Sequence, residues 1–104
     1  MQEKDIAKAL DSLSEILAEN NKEKGFLWQK EDLPKAAVLM ISEIVEAVEA
    51  DRAFLDEYEI KEELSDAIIR ILDFCGQQGW KIGDILMKKV NYNKTRPFKH
   101  GKKY

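Results

Sequence analysis

Two pairs of acids stand out for their spacing. Glu43 and Glu46 lie three residues apart, and so do Glu63 and Asp66. On a helix, that spacing puts both carboxylates of a pair on one face. If two such helices pack antiparallel, four carboxylates converge, and without an opposing base they repel one another. A hard divalent cation relieves the repulsion. Mg²⁺ takes oxygen ligands and keeps waters and substrate phosphates in its shell. The competing reading is surface decoration, with Asp66 paired to Arg70 at i, i+4 and Glu63 to a nearby lysine. A di-iron centre is disfavoured, because such bundles use Glu-x-x-His pairs and the single histidine, His100, lies in the tail.

The chain's ending is the second chemical feature. Residues 85–104 carry seven bases and no acid, whereas residues 1–84 carry 20 acids and ten bases. Lys89, Asn93, Arg96 and Lys102 mix cationic and amide donors, which suits polyphosphate recognition by charge-assisted hydrogen bonds. A basic tail folded over its own acidic body, or a solvated tail, accounts for the same charges. Trp28 precedes the first acid pair, so it either stacks on a base or serves as a core or interface aromatic. Phe26 and Trp80 pose the same choice. Cys75 falls on an apolar stripe and reads as an inert core residue.

Helices must position these groups. Ile6, Leu10, Leu13, Ile16 and Leu17 give a helical period over 3–20. A second helix is expected from an Asp32 cap, with Pro34 in its first turn, to about Ala50. A third covers about 58–77 and is stopped by Gly76 and Gly79. A fourth, capped by Asp84, runs from Ile85 to about Asn93. An irregular basic tail over about 94–104 follows. On the second helix Ala37, Val38, Ile41, Ile44, Val45 and Val48 form one apolar face, with Glu43 and Glu46 opposite. A helix apolar on so many sides is expected to be packed on more than one of them. On the third, Ile60, Leu64, Ala67, Ile68, Ile71, Leu72 and Cys75 form the core stripe. Glu63 and Asp66 lie beside it, and Glu62 and Asp73 point outward as solvated acids.

Several classes are excluded by composition. The chain has 104 residues, 44% hydrophobic and 36% charged, with one cysteine and one histidine. It is long enough for one all-α domain over 1–104 with four principal helices. A core of that size buries only about two-thirds of the unfolded surface, so a second copy would add stability. No apolar run reaches the roughly 18 to 20 residues of a membrane span. The N-terminus has no secretory pattern, and the lone cysteine excludes an internal disulfide framework. A reduced, cytoplasmic protein is expected. The net charge of −3 argues against nucleic acid as partner unless the tail acts alone.

The order of these features resembles the MazG-like all-α nucleoside triphosphate pyrophosphohydrolases. Their pattern is Glu-Glu-x-x-Glu, a spacer, then Glu-x-x-Asp. Here it reads Ser42-Glu43-Ile44-Val45-Glu46, sixteen residues, then Glu63-Leu64-Ser65-Asp66. A Lys-x-x-x-Asn-x-x-Arg stretch and His-Gly-Lys follow, as Lys89, Asn93, Arg96 and His100-Gly101-Lys102. The resemblance spans about residues 24–103. It implies hydrolysis of a nucleoside triphosphate between the α and β phosphates, with Mg²⁺ as cofactor and Mn²⁺ able to substitute. Glu43, Glu46, Glu63 and Asp66 would hold the metal, and Glu46 would orient the attacking water as base. Lys89, Asn93, Arg96 and Lys102 would bind phosphate, and Trp28 the base. It also implies a homo-oligomer, dimer or tetramer. Ser42 departs from the pattern where the first Glu stands, which bears on how many metals are held. The alternative is a non-enzymatic helical interaction module whose acidic face is salt-bridged.

Overall fold

In the computed structural model, residues 2–103 are described, and at positions 100 and 101 the backbone alone. Four helices follow in order: α1 (Glu3–Glu23), α2 (Leu33–Arg52), α3 (Glu57–Gln77) and α4 (Ile82–Lys94). Short 3₁₀ turns occupy Lys30–Asp32 and Phe98–Gly101. No strand occurs among the described residues, so the all-α expectation holds. α3 is central, packed on α2 along one side and on α1 along another, while α4 packs on α1.

The helix ends follow local chemistry. Asp56 caps α3 by accepting from the Glu59 N–H at 3.2 Å. Asp32 precedes α2 as expected, but its carboxylate accepts from the Gln29 N–H at 2.8 Å, closing the 3₁₀ turn instead. α4 starts three residues earlier than the sequence suggests, and Asp84 lies within its first turn. The cap comes from another element: Asp11 of α1 accepts from the Gly83 N–H at 2.7 Å. Gly76 does not stop α3. It lies inside the helix, where a Cβ would collide with the Ser14 carbonyl of α1. Gly79, at φ +74°, takes the left-handed turn that ends the segment.

The interior inverts the expected pattern. Most buried apolar residues are small: Ala7, Ala18, Ala36, Ala47, Ala50 and Ala67, joined by Leu72, Phe74 and Cys75. Among the described residues, Phe74, 1% exposed, is the one large apolar side chain that is almost fully enclosed. Trp80 meets it edge to face, with ring centroids 5.8 Å apart, so Trp80 is a packing residue. Of the stripe expected on α3, Ala67, Leu72 and Cys75 are buried, but Leu64, Ile68 and Ile71 are exposed. On α2, Val38, Ile41, Ile44, Val45 and Val48 all face outward, and the helix turns its acidic side to α3.

These exposed faces make the single chain large for its mass. Its surface is 8125 Å², against about 6,000 Å² for a compact protein of 12 kDa. Its radius of gyration is 15.9 Å, where a compact chain of this length gives about 13 Å.

Candidate functional site

α2 and α3 are joined by the four residues 53–56 and run back along each other as a helical hairpin. Their seam is lined with alanines, so the backbones approach closely. Across it Glu43, Glu63 and Asp66 converge: each offers a carboxylate oxygen, and these oxygens all lie within 4.8 Å of one another. Glu43 is 8% exposed. Glu46 also faces the carboxyls of Glu43 and Glu63, but it is exposed and stands outside the mutually close trio. Three of the four acids expected as ligands are thus brought together, and the fourth borders them. Ser42, in the pattern's first position, turns its hydroxyl to its own helix and donates to the Leu39 carbonyl at 2.7 Å.

One base answers the acids. Arg70 Nε donates to Glu43 Oε1 at 2.9 Å. The surface-decoration reading pairs it with Asp66, one turn away on the same helix, but the guanidinium crosses to α2. This bond holds the Glu43 carboxyl below its ordinary range. Glu63 moves the other way: the neighbouring Glu46, partial burial and Glu43 push it up to about 7. A single arginine therefore leaves the cluster short of positive charge, and Glu63 keeps a proton instead. This donor set fits a hard divalent cation: it is all oxygen, drawn from two helices, and poorly neutralised by the protein.

A cleft of about 340 Å³ opens beside the cluster, bordered by Glu43, Asp66, Arg70, Asp73, Trp28 and Phe26. Its aromatic rim is pinned in place by glutamines. Gln77 Oε1 accepts from the Trp28 N–H at 2.8 Å, and Gln77 Nε2 donates to the Phe26 carbonyl at 3.0 Å. Gln78 Nε2 donates to the Trp28 carbonyl at 2.8 Å. Segment 26–28 is thereby stapled to the last turn of α3. Trp28 is half-buried and lines the cleft, as a base-stacking residue would.

Arg70 lies on the side of Glu63 and Asp66, as the helical spacing expects, but Asp73, expected to be solvated, is 4% exposed. A signal for its burial exists: Glu63, Asp66, Arg70, Asp73 and Gln77 recur at spacings of three and four, one polar stripe facing the seam. Glu62 is exposed, as expected, beside Tyr58, whose hydroxyl it pushes above its ordinary pKa. Cys75 is buried, and burial pushes its thiol up, away from reactivity.

The basic ending is not brought to the acids within one chain. Among the described residues, none of α4 or the tail borders the cleft. Lys89 and Arg96 instead flank the Tyr92 ring, at 5.5 and 5.6 Å from its centre. Asn93 and Lys102 are exposed. The side chain of His100 lies outside the described residues. Compared with models of protein families, with curated proteins and with solved structures, the chain finds no match.

Proposed function

We propose that the protein is a Mg²⁺-dependent nucleoside triphosphate pyrophosphohydrolase that releases the monophosphate and pyrophosphate and works as a homo-oligomer. The observation that carries the reading is the convergence of Glu43, Glu63 and Asp66 from two helices, beside a cleft with an aromatic rim. Those three residues would hold the cation, with Mn²⁺ an acceptable substitute. When bound, it supplies charge neutralisation at phosphate oxygens and acidifies water. Glu46, next to the trio but outside it, would take a proton from an attacking water. Arg70 steadies Glu43 and presents its remaining N–H groups to the cleft, where an anionic substrate would meet them. Trp28 and Phe26 offer flat apolar surface to a base.

Self-association belongs to the same proposal. The surface excess of roughly 2,000 Å² over a compact monomer exceeds the ~800 Å² that each partner contributes to an ordinary stable interface. The outward aliphatic faces of α2 and α3 are its main apolar component. In an oligomer, Lys89, Asn93, Arg96 and Lys102 of a second copy would supply the phosphate contacts that one chain does not place at its own cleft.

The test is a panel of nucleoside triphosphates with Mg²⁺, assayed for pyrophosphate. Release that disappears on chelation supports the reading. A folded protein that releases none with any nucleotide, with Mg²⁺ or Mn²⁺, refutes it. That outcome would favour a non-enzymatic helical module, for which the Arg70–Glu43 ion pair and the exposed aliphatic faces speak.

A further inference from the structure

Asp73 is 4% exposed, and one of its two carboxylate oxygens has a partner within the protein while the other faces the cleft. Its Oδ1 accepts from Gln77 Nε2 at 2.8 Å. Gln77 has nothing further to give, since its other amide proton goes to Phe26 and its oxygen takes the Trp28 N–H. The amide's orientation is therefore fixed, and it fixes Asp73 in turn. Oδ2 receives no hydrogen bond from any described residue, and Asp73 borders the cleft. No buried side-chain oxygen among the described residues lacks a partner, so Oδ2 is open to the cleft's water. A ligand that displaces that water must bring a donor of its own, because a desolvated carboxylate oxygen without one is costly. Oδ2 is a free acceptor, two helical turns along α3 from Asp66 and close to the Trp28 rim.

Resting on the reading of this cleft as the nucleotide site, we infer that Asp73 selects bases bearing an exocyclic amino group, cytosine and adenine, over their keto counterparts. An amino group on the base edge donates to Oδ2 and completes its hydrogen bonding. A keto oxygen in the same place sets two acceptors against each other in a desolvated pocket, a repulsive element that specificity requires. Asn21 borders the same cleft with a side-chain amide. That amide can donate to the ring nitrogen beside the amino group, which is an acceptor in cytosine and adenine. The corresponding ring nitrogen of uracil and hypoxanthine is protonated. Trp28 and Phe26 supply the stacking surface that any base accepts, so the polar pair alone discriminates.

The test uses neutral nucleosides with the metal-free protein, so that neither turnover nor phosphate repulsion enters. Cytidine is compared with uridine and adenosine with inosine, by following the Trp28 indole N–H resonance in NMR titrations. Trp80, packed on Phe74, serves as the internal reference. The amino member of each pair should bind at least about tenfold tighter. Asp73→Asn keeps a carbonyl for Gln77 but adds a donor, and should bring both pairs to near-equal affinity. Equal binding of the pairs by the unmodified protein, which requires no variant to fold, overturns the inference. So does an Asp73→Asn protein that keeps the full preference, or a Trp28 resonance that no nucleoside shifts at millimolar concentration. The two readings fail separately. Pyrophosphate release without amino preference removes Asp73 from specificity alone, and amino preference without pyrophosphate release removes only the proposed hydrolysis.

Discussion

Replacing Arg70 with Gln tests the charge balance of the site directly. The substitution removes the Nε–H bond to Glu43 Oε1, 2.9 Å long, in which the Glu43 side chain is 11% exposed and that of Arg70 40%. A hydrogen bond to a charged group contributes about 1.5–3 kcal/mol, and the wetter end of this pair trims that to about 1–2 kcal/mol. For a domain near 100 residues each kcal/mol moves the melting temperature by about 4–8 °C. The metal-free variant should therefore melt roughly 5–15 °C below the parent. A cation in the cluster would replace the lost positive charge, so by linkage the stability missing from the metal-free state returns on binding. That predicts Mn²⁺ affinity about 5- to 30-fold tighter in the variant, the factor equivalent to 1–2 kcal/mol. Paired calorimetric melts and Mn²⁺ titrations on one preparation read both quantities. An unchanged melting temperature, or Mn²⁺ bound no more tightly than by the parent, would show that Arg70 is not the counter-ion of this cluster.

Other outcomes follow from the same geometry. Glu63→Gln should keep the fold, abolish most pyrophosphate release and weaken Mn²⁺ binding; near-normal turnover would mean that Glu63 is not a ligand. Because the folded protein holds Glu63 protonated to about pH 7, above its unfolded value of 4.5, its protonation favours folding below pH 4.5. That contribution fades as pH rises through 7, since the folded state binds the extra proton. Above pH 7 the metal-free Gln variant should thus melt higher than the parent, and a lower melting point there contradicts the repulsion argument. Arg96→Ala should raise the Michaelis constant or lower turnover at least about tenfold with little change in melting temperature. Unchanged kinetics in a folded protein would detach the tail from the site. Val45→Asp should convert an oligomer to a 12 kDa species by light scattering at micromolar concentration; a parent already monomeric there would refute the assembly.

The helices were legible because apolar period, caps and breakers agree along most of the chain. Gly79 acts where local rules place it. The misses share a cause, which is that packing between elements is invisible to local spacing. α4 begins early because Asp11, more than seventy residues upstream, supplies its cap. Gly76 sits mid-helix because α1 needs the room. The acid pairs pointed to the right seam, since two i, i+3 pairs on adjacent helices have few ways to meet. Asp73 was misread because the expected α3 core stripe was drawn through Leu64, Ile68 and Ile71, about a third of a turn from the side that faces the seam.

That rotation ties the site to the proposed assembly. A self-sufficient monomer would turn the five aliphatic side chains of α2 inward, where each fully buried one contributes about 1.5–3 kcal/mol, and leave the acids in water. This chain does the opposite: Val38, Ile41, Ile44, Val45 and Val48 are outside, and Glu43 is inside against α3. The alanine seam follows from the same choice. Ala36, Ala47, Ala50 and Ala67 are small enough for two helices to approach until carboxylates from both share one site. Small residues bury little area, so the seam alone forgoes much of the hydrophobic gain a chain of this length needs. A second copy laid on the outward face recovers it. On this account the two faces of α2 carry different duties, and variants separate them. Loss of activity in Val45→Asp should be relieved by raising protein concentration, because the defect is in association. Loss in Glu63→Gln should be concentration-independent, because the defect is in the site itself.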